Sequence, residues 1–351
     1  MSTARQCALL LLAVALCCTG IACKEQSTTT ELPPGVIQLR GAGATFPAPL
    51  YKKWLEVYQQ RHADVALSYD VIGSGDGVKQ FIAGAVDFGA SDAAMQDGEI
   101  AQVERGVQLV PAVAGSIVLA YNLPGLGGDL QLKRDVYVDI FLGHITRWDD
   151  PRIRETNPGL HLPSADIALV TRQDSSGTTF AFTNHLSAVS DVWRDRGPGV
   201  GGVIDWPGSA MSARGNEGVA GRIKQSDGAI GYVEYGTAQR AGLAMAWLEN
   251  KAGHFIQPYG GSGLATLLHT DLPENLRAFF PDPDGDDSYP IVTYSWLLLY
   301  KKYADPQKAA ALKRYVKWCL TEGQAFNESL GYVRLAPHVV TRAVQAIDSI
   351  Q

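Results

Sequence analysis

Short apolar runs recur along the chain and alternate with segments of helical period. Ala66–Ile72, Val107–Val113, Ile117–Tyr121, Ile167–Thr171, Ile230–Tyr235 and Ile291–Tyr300 have the length and β-branched or aromatic content of buried strands. The clearest helix opens with Asp305 as its cap and Pro306 at the first helical position. Leu312, Tyr315, Val316, Cys319 and Leu320 then share one face, and Gly323 is expected to close it. This face reads as packing. Strands that alternate with helices predict an α/β fold, sheets covered by helices. Extended passages at Val113–Tyr121 and Pro290–Tyr300 are candidates for crossings between two domains, because a mature chain of roughly 320 residues exceeds what one core supports.

The N-terminus departs from this pattern. Arg5 is followed by an apolar run from Cys7 to Cys18, CALLLLAVALCC, which is of signal-peptide length and short for a membrane span. Thr19, Gly20, Ile21 and Ala22 then lead to Cys23, after which the chain turns polar. This resembles a bacterial lipobox, in which the cysteine becomes the first mature residue and carries lipid. Gly20 stands where that pattern usually has Leu, so plain cleavage stays open. Residues 1–22 are read as signal peptide and 23–36 as a flexible tether, rich in Ser, Thr and Pro and without apolar periodicity. The expected location is the periplasm or cell envelope, with membrane contact through the lipid if Cys23 is modified.

Four of the five cysteines lie in or beside this signal, which leaves Cys319 alone on its helix. The net charge is −6, and removing residues 1–22, whose only charge is Arg5, leaves −7. Such a surface does not suit a nucleic-acid binder. An anionic ligand would not be steered in from a distance and would have to be held by local donors.

Those donors are concentrated where Gly, Ser and Thr precede helical segments. In GAGATFPAPLYKKWLEVYQQ, residues 41–60, Thr45 and Phe46 stand ahead of Pro47, and a helix is expected to start near Thr45. In VIGSGDGVKQFIAG, residues 71–84, a strand feeds Gly73, Ser74, Gly75, Asp76 and Gly77. In VTRQDSSGTTFAFTNHL, residues 170–186, Arg172 and Asp174 precede Ser175, Ser176, Gly177 and Thr178. A helix start leaves backbone N–H groups unpaired beside the positive end of the dipole, and a glycine lets an anion approach them closely. Arg172 would add the one full positive charge, with Asp174 holding its fork.

These stretches, together with VDFGASDA (residues 86–93), FLGHITRWDDPRI (141–153), NPGLHLPS (157–164) and GAIGYVEY (228–235), resemble the phosphate-binding protein of the bacterial phosphate-specific ABC transporter, the PstS family of type II periplasmic binding proteins. The similarity runs from about Gln38 to the last helices. It implies a two-domain clamp, each domain a mixed sheet flanked by helices, closing by hinge motion on dehydrated phosphate. The implied domains are 37–114 with 290–351, and 115–289. Thr45 and Phe46 would donate from the first loop and Ser74 from the second. Arg172 would pair with the anion, and Ser176, Gly177 and Thr178 would complete the cage. Asp92 would accept the proton that phosphate keeps at neutral pH and sulfate lacks, so sulfate is rejected by repulsion. The resemblance further implies transporter permease subunits as partners, a monomer, no cofactor, no metal and no enzymatic activity. Where the family commonly has further Ser and Gly, this chain has Asp76, which is read as a solvent-facing residue of a first helical turn.

Two rivals are a hydrolase and a binding protein for another oxyanion. Gly73-Ser74-Gly75 falls short of the Gly-x-Ser-x-Gly elbow. His62, His144, His161, His185, His254, His269 and His338 show no metal spacing, and His185, near the Arg172 loop, is read as a helix-surface residue. Trp148 with Asp149 and Asp150 reads as a loop, Lys301 and Lys302 as a solvated strand end, and Asp282–Asp287 as a turn.

Overall fold

The computed structural model describes residues 33–259, 263–268 and 272–351. The signal, Cys23, most of the tether and His269 lie outside the described residues. The chain runs β1 (Ile37–Gly43), α1 (Ala48–Arg61), β2 (Val65–Val71), α2 (Ser74–Ile82), β3 (Phe88–Ser91), α3 (Asp97–Ile100) and β4 (Val107–Asn122). There follow β5 (Gln131–Leu132), α4 (Arg134–Phe141), α5 (Pro151–Thr156), β6 (Ala168–Arg172), α6 (Gly177–Val189) and α7 (Asp191–Arg196). Next come β7 (Met211–Ala213), α8 (Gly215–Lys224), β8 (Ala229–Glu234), α9 (Tyr235–Ala241), β9 (Ala244–Met245), β10 (Trp247–Glu249) and β11 (Phe255–Ile256). The last elements are α10 (Leu264–Leu268), β12 (Val292–Tyr300), α11 (Pro306–Leu320) and α12 (Pro337–Asp348).

Eight of the strands line up in the order β2, β1, β3, β12, β4, β8, β6, β7, with β9 also paired to β4. β1 is parallel to β2 and β3, and β6 is parallel to β7 and β8, whereas β12 and β4 run antiparallel between these groups. The two apolar runs at 107–113 and 117–121 therefore form one strand, not two. Gly115 between them does not interrupt it, because β4 changes partner there: residues up to Ser116 pair with β12, and Ile117–Asn122 pair with β8. Both strands are buried along nearly their whole length, which explains their unbroken apolar character.

Among the strands the periodicity did not expose are β1 and β3, both of which carry glycine. A Cβ on Gly43, whose φ is +144°, would stand 2.1 Å from the Ala90 carbonyl oxygen, so the close pairing of β1 with β3 needs glycine there. The first helix starts at Ala48 with Pro47 at its cap, later than expected, because the Thr45 hydroxyl is engaged elsewhere and caps nothing. α11 is capped by Asp305 as expected, its side chain accepting from the Gln307 N–H at 2.8 Å. It ends at Leu320, with Thr321 as its C-cap, rather than at Gly323, which sits inside a 3-10 turn and whose carbonyl accepts the Trp54 indole N–H at 2.7 Å. Cys319 is buried on that helix.

His185 is buried, contrary to the surface expectation. Tyr137 Oη lies 2.8 Å from its Nε2 and the Pro281 carbonyl 2.6 Å from its Nδ1, so α6 is covered on this side too. Burial pushes its imidazole down to about 4, which keeps it neutral. Trp148 does lie outside regular structure but is fully buried, anchored by its indole N–H to the Gly228 carbonyl at 2.9 Å.

Candidate functional site

Each of the residues singled out from the sequence as a ligand contact stands at or just beyond the C-terminal end of a parallel strand. Thr45 and Phe46 follow β1, Ser74 follows β2, Asp92 follows β3, and Arg172 closes β6 ahead of Ser176, Gly177 and Thr178. Carboxyl ends of parallel strands are where open α/β sheets place their ligands, since each strand there feeds a loop and a helix start.

The structure brings these loops into contact. The Ser74 hydroxyl accepts from the Asp92 N–H at 3.3 Å, and the Gly75 N–H donates to the Ser175 carbonyl at 3.0 Å. A Cβ on Gly177 would lie 2.6 Å from Ser74 Oγ and 2.7 Å from the Asp92 Cβ, so the α6 start can approach the β2 and β3 loops only without a side chain. Ser176 caps α6, its hydroxyl accepting from the Thr179 N–H at 3.0 Å, while its own N–H donates to the Gly202 carbonyl. The N–H groups of Phe46, Gly177 and Thr178 have no protein partner among the described residues. Phe46 is fully buried, with its carbonyl accepting from Tyr332 Oη at 2.6 Å.

Arg172 and Asp174 form a buried, two-pronged pair: Nε donates to Oδ1 at 2.8 Å and Nη2 to Oδ2. Burial alone would raise the Asp174 carboxyl, but the guanidinium and the Gly215 N–H, 3.0 Å from Oδ1, hold it below the usual carboxylate range. The third nitrogen of the fork, Arg172 Nη1, is buried and has no partner among the described residues.

Asp92 is its counterpart. It is 1% exposed, and the Thr178 hydroxyl donates to Oδ2 at 3.3 Å, but Oδ1 has no partner among the described residues. Burial pushes its carboxyl up to about 7, with the nearby Ser295 hydroxyl, the Arg172 charge and the Thr178 hydroxyl only partly opposing. The Ser295 hydroxyl stands close by, outside hydrogen-bond geometry. The cluster thus contains a buried acceptor and a buried cationic donor without protein partners, an arrangement that costs stability unless something bridges them. Cavities of about 240 Å³, lined in part by Thr45, Asp174 and Asn216, and of about 140 Å³, lined in part by Ser74, Ser176 and Gly177, border it.

Asp76 behaves as a first-turn residue: it pairs with Lys79 at 3.1 Å, lies 4.0 Å from Arg214 and is partly exposed. Two contributors were not visible in the sequence. Tyr232 Oη accepts the Arg172 N–H at 3.1 Å and meets the Thr179 hydroxyl at 2.7 Å. Asn216, at the start of α8, touches both Thr45 and Thr178. The only sequence signal for the latter was a further Gly-containing helix start, Arg214-Gly215-Asn216, without the Ser or Thr that marked the others. Among the described residues no cluster of His, Cys, Asp and Glu could hold a metal ion, and no helix is long and apolar enough to cross a membrane.

Residues 28–322 match the family model described as the PBP superfamily domain. The chain is 39% identical over 311 residues to the phosphate-binding protein PstS of Pasteurella multocida, covering 88% of this chain and 89% of the relative. It is 35% identical over 352 residues to the phosphate-binding protein PstS of Methanocaldococcus jannaschii, covering 93% and 90%. Among solved structures, a phosphate-binding protein from Stenotrophomonas maltophilia superposes with a TM-score of 0.72 at 20% identity, over 88% of this chain and 94% of that one. A high-affinity periplasmic phosphate-binding protein with phosphate bound gives 0.72 at 20% identity, over 87% and 92%, and these two likenesses speak to the fold alone. By its sequence, the chain belongs to the PstS family of phosphate-binding proteins, within the PBP superfamily.

Proposed function

We propose that this protein captures inorganic phosphate outside the cytoplasm and hands it to an ABC transporter for uptake, binding the anion dehydrated among Thr45, Phe46, Ser74, Asp92, Arg172, Ser176, Gly177 and Thr178. One observation carries the reading: Asp92 Oδ1 needs a donor and Arg172 Nη1 needs an acceptor, both buried in one cluster. A monohydrogen phosphate ion is both, offering its P–OH to the carboxylate and its anionic oxygens to the guanidinium, the free N–H groups and the hydroxyls. Sulfate offers only acceptors, and would set an oxygen against Asp92 with nothing between them. Asp174, held ionised, keeps the Arg172 fork in place.

The clamp reading assigns 37–114 with 290–351 to one domain and 115–289 to the other. The partner change of β4 between Ser116 and Ile117 supports that boundary. Export, lipid attachment at Cys23, permease subunits as partners and the absence of enzymatic activity belong to the same reading. They rest on the signal-like N-terminus and on the family.

Calorimetric titration of the ligand-stripped protein with phosphate and then sulfate tests it, repeated for Asp92→Asn. Phosphate is expected to bind tightly and sulfate not measurably, with the variant relaxing the rejection of sulfate. A folded, ligand-free protein that ignores phosphate would overturn the reading.

A further inference from the structure

Asn216 is the second residue of α8, follows the end of β7, and is 1% exposed. Its Oδ1 accepts from the Glu234 N–H at 3.0 Å. A backbone N–H can only donate, so this bond settles which end of the amide is oxygen and turns Nδ2 the other way. Nδ2 donates to Thr45 Oγ1 at 3.0 Å and to Thr178 Oγ1 at 3.2 Å, and the Asn216 N–H donates to Thr45 Oγ1 at 3.2 Å.

A hydroxyl has one proton and two lone pairs. Thr45 Oγ1 receives two hydrogen bonds, both from Asn216, so its lone pairs are taken and its proton must leave in another direction. Thr178 Oγ1 receives one bond from Asn216 and spends its proton on Asp92 Oδ2 at 3.3 Å. That bond occupies one carboxylate oxygen and leaves Oδ1 as the open acceptor.

We propose that Asn216 is a positioning residue that sets the direction of these two hydroxyl protons, sending that of Thr45 into the anion cage and that of Thr178 onto Asp92. Asn216 thereby selects which oxygen of Asp92 faces the ligand, and it ties the loop after β1 to the start of α6. An asparagine suits the position because only an amide combines an acceptor for Glu234 with two donors for the threonines. Serine would supply one donor, and aspartate none. This inference rests on the phosphate reading.

The test is a double-mutant cycle read by titration with inorganic phosphate. Asn216→Ala is expected to weaken phosphate about tenfold in the otherwise unchanged protein. In a Thr45→Val background only the Thr178 proton is left to direct, so the same substitution should cost clearly less, about threefold. Equal penalties in both backgrounds, or no penalty in the first, would overturn the proposal, because a purely structural asparagine has no reason to act through one hydroxyl. If alanine prevents folding by orphaning the Glu234 N–H, Asn216→Asp carries the same cycle. It keeps an oxygen for that N–H but draws the Thr45 proton to itself, so its penalty must also shrink in the Thr45→Val background, to a remainder set by the Thr178 hydroxyl and by repulsion between the new carboxylate and the anion. A parent protein that binds no phosphate would fail the underlying reading, a result distinct from an uncoupled cycle.

Discussion

The ends of β3 and β8 each carry a buried carboxylate, and the two invite the same interpretation until their oxygens are followed. Burial pushes Asp92 and Glu234 alike up to about 7. Glu234 spends both oxygens on the start of α9: Oε1 accepts from the Gly236 N–H at 2.5 Å, and Oε2 from the Thr237 N–H at 2.7 Å and its hydroxyl at 2.8 Å. It is a helix cap, complete within the protein. Asp92 keeps one oxygen without a partner. A raised pKa therefore does not tell these two carboxylates apart, and unfilled hydrogen-bonding capacity does.

The largest effect should come from the other group with unfilled capacity. Arg172→Met is expected to lower phosphate affinity by roughly a hundredfold or more, as a charged donor is lost. It should also destabilise the ligand-free fold by about 3 to 5 kcal/mol, because Asp174 is left buried and unpaired. Titration and thermal melting read the two separately, and an unchanged affinity would break the rule that orphan groups face the ligand.

Glu234→Ala leaves three donors at the start of α9 without an acceptor and should destabilise by about 2 to 4 kcal/mol, while phosphate affinity changes less than about threefold. If it relaxed the rejection of sulfate instead, the distinction between the two carboxylates would fall. Their pH behaviour sharpens the comparison. Both carboxyls are raised in the fold, so each contributes stability that is full below the unfolded values near 4 and is lost as pH rises toward about 7. Melting temperature of the ligand-free protein against pH should thus be flattened over that window by either Asp92→Asn or Glu234→Gln. Phosphate should restore stability at neutral pH in the Glu234 variant as fully as in the parent.

The smallest effect belongs to a carboxylate near the cluster but not in it. Asp76→Asn should alter phosphate affinity by less than about twofold at physiological salt, since its partners Lys79 and Arg214 are exposed and screened. A tenfold gain would mean that Asp76 faces the anion after all.

Much of this was legible in the chain itself. Local rules sufficed for α2 and α6, where Gly73-Ser74 and Ser176-Gly177 open helices, and for the Asp305 cap of α11. The long apolar runs of β4 and β12 announced themselves because a strand buried on both faces has nowhere to put a polar residue. β1 and β3 did not, since their sequence answers to the closeness of neighbours rather than to burial alone. His185 was misread for a similar reason: what covers α6 there is Tyr137 and Pro281, far away in sequence.

By itself the sequence determined which loops carry backbone and hydroxyl donors suited to an anion, because a helix start, a glycine and a hydroxyl act through bonds made within a few residues of one another. Only the tertiary structure decided how those donors are directed. That Asn216 bridges Thr45 and Thr178, and that Thr178 takes one oxygen of Asp92 and leaves the other free, depend on partners up to 171 residues apart. Local propensity carries no record of such distant pairings, and the direction of a hydrogen bond is settled only when both of its ends are in place.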